Sequence, residues 1–219
     1  MLKGLVFDMD GTMVDNSGLH IEAFRIFFSL HNCTEPFSEE WFARRNEDIL
    51  KHYIPQECEK LGWVALSDEK ERIYRERFKD EIKSVDGLAE LLRSAVSRGI
   101  RCCVGSSAPR QNVEFHLDVL DVRRYMTDWL CMEDVKVGKP DPDVYLKCCR
   151  RIDCDPSECI VFEDASAGVE AGLAAGCKVV GIANWNDPEK LRRSGAHLVV
   201  RDFTELDMAT LANLVQNIA

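Results

Sequence analysis

The 219-residue sequence contains no apolar run approaching the roughly 20 residues that a membrane-spanning helix needs. It also lacks an excess of positive charge: 28 Lys and Arg stand against 38 Asp and Glu, a formal net charge of −10. Phosphate backbones are bound by basic surfaces, so no nucleic-acid partner is expected, although a small phosphate could still bind in a local cationic pocket. Cysteine is plentiful at ten, but no CxxC pair occurs, and Cys102-Cys103 and Cys148-Cys149 are adjacent pairs. That spacing disfavours structural zinc. Most cysteines lie in apolar runs, which reads as buried reduced thiols rather than a disulfide framework. A cleaved signal segment is not expected, because Asp8 and Asp10 would fall inside it. What these absences leave is a cytoplasmic protein, expected to be monomeric and without a membrane partner. With 46% hydrophobic and 30% charged residues it is one large domain, or a domain with a sizeable insertion.

What the chain does have begins at once. The apolar run Leu5-Val6-Phe7 ends in Asp8-Met9-Asp10-Gly11-Thr12. Side chains alternate faces along a strand, so Asp8 and Asp10 are expected on the same side near its end. Two carboxylates held that close resist joint ionisation unless a cation or a shared proton relieves them. A buried strand leaving through an Asp-Gly turn would also account for these residues taken alone.

Downstream, strand-like runs alternate with helical ones. Ile100–Val104 precedes a helix from about Pro109 to Leu120, and Trp129-Leu130-Cys131 precedes a loop and the helix Val144–Arg151, for which Asp141 and Pro142 read as N-cap and first helical residue. Cys159–Phe162, Cys177–Ile182 and His197–Val200 continue the series. This repetition predicts an α/β fold with a Rossmann-like parallel sheet covered on both faces. Between residues 16 and 83 the segments Gly18–His31, Ser38–Arg44, Glu47–Leu61 and Ser67–Ile82 read as helices with no convincing strand, punctuated by Pro36, Pro55 and Gly62. An insertion of that size is too long for a connection. The expected organisation is therefore a core of residues 1–15 and 84–219 with an all-α cap of residues 16–83. The cap departs from the carboxyl end of the first strand, where open α/β folds bind ligands, and so reads as a lid.

Four places at predicted strand ends carry polar residues suited to chemistry: Asp8 and Asp10; Gly105-Ser106-Ser107; Val137-Gly138-Lys139-Pro140; and Glu163-Asp164-Ala165-Ser166-Ala167-Gly168. Each has a plainer reading in isolation. A serine there caps the next helix, a lysine is solvated, and an acidic pair sits at a helix N-terminus. Together they suit other work. Several carboxylates match a hard, oxygen-preferring Mg²⁺, and a hydroxyl with a lysine matches phosphoryl oxygens. Phosphoryl transfer needs little beyond such positioning and charge neutralisation.

In this order, DxDGT, a serine after the next core strand, a lysine before proline, and Glu-Asp with small residues, the sequence resembles the haloacid dehalogenase-like superfamily, over essentially its whole length. The helical insertion is similar to the subgroup with a small α-helical cap, which includes β-phosphoglucomutase and many sugar-phosphate phosphatases. The resemblance implies Asp8 as nucleophile and Mg²⁺ ligand, and Asp10 as general acid and then base, its backbone carbonyl also facing the metal. It implies Ser106 and Lys139 on the phosphoryl group, with Glu163 and Asp164 completing the metal shell. In the cap, His20 resembles a histidine that reaches toward the acid–base aspartate, and Lys70 a lysine that meets the distal part of the substrate. Asn46, with Arg44 and Arg45 before it, falls where the mutase carries a substrate-binding arginine. With Ser107 these are the candidate substrate-binding residues. Asp86-Gly87 departs from the Pro-Gly common at the cap's return. The implied activity is a Mg²⁺-dependent phosphatase acting on a small phosphorylated metabolite, a sugar phosphate, through an aspartyl-phosphate. The alternative is β-phosphoglucomutase, which needs a second phosphate clamp that Asn46 weakens.

Overall fold

A computed structural model describes residues 1–38, 41 and 45–216. The chain divides into two compact units, Met1–Asp15 with Lys83–Ala219, and Asn16–Ile82.

The first unit is built on a six-stranded parallel sheet: β1 (Gly4–Phe7), β2 (Arg101–Gly105), β3 (Asp128–Leu130), β4 (Cys159–Glu163), β5 (Lys178–Ile182) and β6 (Leu198–Val200), in the order β3-β2-β1-β4-β5-β6. Every residue of β1 and β4 is buried, as expected of central strands covered on both faces. The helices of this unit are α5 (Leu88–Ser97), α6 (Arg110–Val119), α7 (Asp143–Arg151), α8 (Ser166–Ala174), α9 (Pro188–Arg193) and α10 (Met208–Gln216). On one side Val6, Cys103, Cys148, Cys159, Val161 and Val179 form a continuous core. On the other, Phe7 stacks on Phe162 at 4.8 Å, and Phe203 packs against both. Seven of the ten cysteines are buried. The strand order reverses between β1 and β4, so the crevice beyond their carboxyl ends is where an open α/β sheet admits a ligand.

Two local readings change. The helix expected at Val144 starts at Asp143, and Pro142 takes the cap position with φ −73° and ψ −6°. The Asp141 carboxylate nevertheless accepts from Asp143 N–H at 3.0 Å, two residues on, as a capping side chain does. Strand β1 stops at Phe7, and Asp10 bridges Val14 in the turn that follows. Strand alternation therefore does not govern residues 8 to 10.

The second unit is helical: α1 (Ser17–Leu30), α2 (Asn46–Tyr53), α3 (Pro55–Leu61) and α4 (Trp63–Phe78), then a short 3₁₀ turn at Lys79–Glu81. The helix expected over Glu47–Leu61 is broken between Tyr53 and Pro55, because a residue before proline is pushed out of the helical region; Ile54 has φ −138° and ψ 56°. Gly62, at φ +81°, turns the chain into α4 several residues before Ser67. The expected helix Ser38–Arg44 falls mostly outside the described residues. Phe24, Phe27 and Phe28 of α1 meet Phe37, Ile49, Leu50 and Tyr53 in this unit's own core. Among the described residues no helix is long and apolar enough to cross a membrane.

Candidate functional site

The site begins where β1 and β4 end. Asp8 N–H donates to Phe162 carbonyl at 3.0 Å, so the register of the two strands continues one residue past β1 and fixes the Asp8 backbone beside Glu163. Asp8, Glu163 and Asp164 are all buried, and each offers a carboxylate oxygen within 4.8 Å of the others. The Lys139 ammonium donates to Asp8 Oδ1 and, at 2.6 Å, to Glu163 Oε1. Its side chain is 9% exposed. Three carboxylates thus face one ammonium.

Glycine makes the crowding possible at two points. A Cβ on Gly168 in α8 would run into the Glu163 carboxylate, and one on Gly11 would run into that of Asp164; Gly11 also has φ +80°. Glu163 is further held by Tyr145 Oη at 2.5 Å and by the backbone N–H of Ala165 at 3.1 Å. Asp164 accepts from Thr12 Oγ1 at 3.3 Å, Trp185 Nε1 at 3.3 Å and Asn186 Nδ2 at 3.1 Å.

The electrostatics follow from this packing. Burial pushes the Asp8 carboxyl well above the usual carboxylate range; Lys139 opposes that, and Glu163 and Asp164 add to it. Burial, reinforced by Glu163, raises Asp164 to about 7. Burial works against the Lys139 ammonium, but Asp8 and Glu163 outweigh it and hold the lysine protonated. Burial and the neighbouring Glu163 carboxylate raise the Tyr145 phenol, so it stays a donor. A trio of buried oxygen donors with a net charge deficit fits a hard divalent cation. Asp8, Glu163 and Asp164 are the side chains that would hold it.

Not every residue singled out in the sequence joins this cluster. The Asp10 carboxylate lies outside the trio, a consequence of β1 ending at Phe7; it faces the imidazole of His116, with Nδ1 3.7 Å from Oδ1. Ser106 is buried at the end of β2, its Oγ accepting from Ala108 N–H at 3.0 Å, while Ser107 beside it is exposed. The helix after them takes its terminal contact elsewhere: the Glu133 carboxylate accepts from Arg110 N–H at 3.1 Å. Tyr145, Asn186, Trp185 and His116 lie outside the four sequence motifs, whereas Thr12 closes the first of them. The Asn184-Trp185-Asn186 stretch just past β5 carries the same signal that marked Ser106, polar residues beyond an apolar run. Tyr145 and His116 lie within helices and carry no such signal.

In the helical unit Lys70 is only 1% exposed, so it is not a solvated lysine. Its Nζ donates to His20 Nδ1 at 2.8 Å and to Glu71 Oε1 at 2.9 Å, and lies 4.3 Å from the centre of the Phe24 ring. His20 also stacks on Tyr74 at 3.8 Å. Asn46 Nδ2 donates to Ser67 Oγ at 3.0 Å and to Glu71 Oε1 at 2.9 Å. Arg45 pairs with Asp48 at the surface, and Arg44 lies outside the described residues.

The parallel sheet thus carries a buried acid trio and a lysine at its switch point. Residues 5–182 match the family model described as haloacid dehalogenase-like hydrolase, and the chain belongs to that family. It is 30% identical over 206 residues to a phosphorylated carbohydrates phosphatase of Thermotoga maritima, covering 91% of this chain and 94% of that one. It is also 30% identical over 182 residues to the fructose-1-phosphate phosphatase YqaB of Escherichia coli, covering 82% and 95%. The crystal structure of a HAD hydrolase, family IA, variant 3, from Entamoeba histolytica superposes with a TM-score of 0.90 at 25% identity, covering 99% of this chain and all of that one. With these relatives the chain is an enzyme of the phosphohydrolase type.

Proposed function

We propose that this protein is a Mg²⁺-dependent phosphatase that hydrolyses a small phosphorylated metabolite, a sugar phosphate, through a phosphoryl-enzyme intermediate on Asp8. The observation that carries the reading is the Lys139 ammonium, which bridges Asp8 and Glu163 beside Asp164. In that arrangement one carboxylate is fixed for attack while a cation offsets the negative charge that a phosphate would add. Asp8, Glu163 and Asp164 would hold a divalent metal, which would supply further charge neutralisation. Names of the relatives support a carbohydrate phosphate as substrate.

The steps assigned to the chain's own residues are these. An Asp8 oxygen attacks phosphorus, and the bond to the substrate oxygen breaks. Asp10 gives its proton to that leaving oxygen. Asp10 then takes a proton from water, which attacks phosphorus, releases inorganic phosphate and restores the Asp8 carboxylate. Ser106, whose oxygen already accepts from Ala108 N–H, has its hydroxyl hydrogen to give to a phosphoryl oxygen. Ser107, His20, Asn46 and Lys70 are assigned to recognition of the remainder of the substrate.

The second reading, β-phosphoglucomutase, differs only in what attacks the phosphoryl-enzyme. It requires a second phosphate clamp, and Asn46 offers a neutral amide already engaged by Ser67 and Glu71. Incubation with β-glucose 1-phosphate and Mg²⁺ separates the two. Inorganic phosphate without glucose 6-phosphate supports the phosphatase; rapid glucose 6-phosphate formation with little free phosphate overturns it.

A further inference from the structure

His116 is fully buried in α6, on a helix face it shares with Asn112, Val113 and Leu117. A leucine at that position would fill the space without bringing a polar ring into the interior, and burying such a ring is costly unless it has polar work to do. The ring turns Nδ1 to Asp10 Oδ1 at 3.7 Å, an ion-pair distance rather than a hydrogen bond. The Asp10 backbone is fixed by its own turn: Gly11 N–H donates to Val14 carbonyl at 2.9 Å, Asp10 bridges Val14, and Val14 bridges Ser84. The turn fixes the backbone; the Asp10 side chain beyond it is 32% exposed. A group that must donate a proton along one direction and later accept one along nearly the same line works best when a third group holds it. A rotation of the Asp10 carboxylate toward Nδ1 would bring the contact to hydrogen-bond length, and catalytic contacts often tighten once substrate is bound.

We propose that His116 is a positioning residue: from the core of α6 it orients the Asp10 carboxylate so that its proton is aimed at the leaving oxygen of the substrate. This rests on the reading of Asp10 as the acid–base group. His116 touches neither substrate nor phosphorus, and its effect is therefore confined to the part of the reaction that needs a correctly aimed proton.

The test compares kcat/KM for a sugar phosphate, whose alkoxide leaving group needs protonation, with that for p-nitrophenyl phosphate, whose leaving group departs as a stable anion. For His116→Leu the ratio of the two constants falls about tenfold, a fraction of what general acid catalysis contributes. His116→Asn places an amide N–H near the position of Nδ1 and returns the ratio to within about twofold of wild type, whereas His116→Gln, whose amide sits nearer Nε2, does not. If His116→Leu fails to fold, the Asn and Gln pair decides alone. An equal fall for both substrates, or an unchanged ratio, overturns the proposal. Asp10→Asn run in parallel separates the two levels of inference. If it leaves the ratio unchanged, the acid–base reading itself fails; if it lowers the ratio and His116→Leu does not, only the role of His116 fails.

Discussion

At the residue scale the chemistry depends on how few groups oppose three buried acids. Among the described residues Lys139 is the one ammonium hydrogen-bonded to Asp8 and Glu163, and removing one partner of a buried pair leaves charge without compensation. Lys139→Met should therefore lose about 3 kcal/mol of stability in chelator-treated buffer, measured by urea unfolding. It should also lose at least about a hundredfold in turnover, as when one preorganised donor is taken from a site of developing charge. Unchanged stability and rate would mean that the lysine is peripheral. Gly168 provides an opposite-sign test. In an exposed helix, Gly to Ala gains up to about 1 kcal/mol. Here the new Cβ displaces Glu163 from its contacts with Lys139, Tyr145 and Ala165, so Gly168→Ala should bind divalent metal more weakly in calorimetric titration. A more stable variant with intact metal binding would contradict the packing argument. Asp8, Lys139, Glu163 and Asp164 were legible because four polar motifs occur together in one order, although each alone has a plainer structural reading. Tyr145 was not, because a tyrosine within a helical pattern gives no sign that its phenol reaches the Glu163 carboxylate.

At the element scale, each strand was readable from an apolar run of three to six residues, and α6 and α7 from the helical patterns that follow two of them, but the ends were not. Helix ends are decided by single hydrogen bonds, such as that from Asp143 N–H to Asp141, and breaks by steric rules, as at Ile54-Pro55. Asp202 illustrates a terminal device that the apolar pattern does not reveal. Its carboxylate accepts from Thr204 N–H at 2.9 Å and from the Thr204 hydroxyl, starting the turn that seats Phe203 against Phe7 and Phe162. Asp202→Ala should cost about 1 kcal/mol, the usual worth of a capping side chain. The Thr204 hydroxyl, the Thr204 N–H and Arg201 hold the Asp202 carboxyl below its ordinary value despite opposing burial. A depressed carboxyl contributes stability above the unfolded value and loses it as pH falls through the folded one. The difference in urea midpoint between variant and wild type should therefore be full at neutral pH and shrink in acid. A difference that persists unchanged at low pH would remove the carboxylate from the explanation.

At the scale of the whole molecule, strand and helix alternation alone specified an α/β parallel sheet, because only that arrangement covers strands that are apolar on both faces. The order β3-β2-β1-β4-β5-β6 then places the ends of β1 and β4 side by side, which is why motifs 155 residues apart, Asp8 and Glu163, share one lysine. The helical unit was legible as an absence of strands, but the buried Lys70, His20 and Asn46 network was not: a lysine in a charged helical segment gives no sign that it is enclosed. The account turns on a covalent phosphoryl group at residue 8. Rapid quenching of the enzyme with substrate and Mg²⁺ into borohydride, which reduces an acyl phosphate to the alcohol, followed by peptide mass spectrometry, examines this directly. Homoserine at position 8, dependent on both substrate and metal, is the predicted result. Sustained phosphate release with no reduction at Asp8, under conditions that trap acyl phosphates elsewhere, would contradict it.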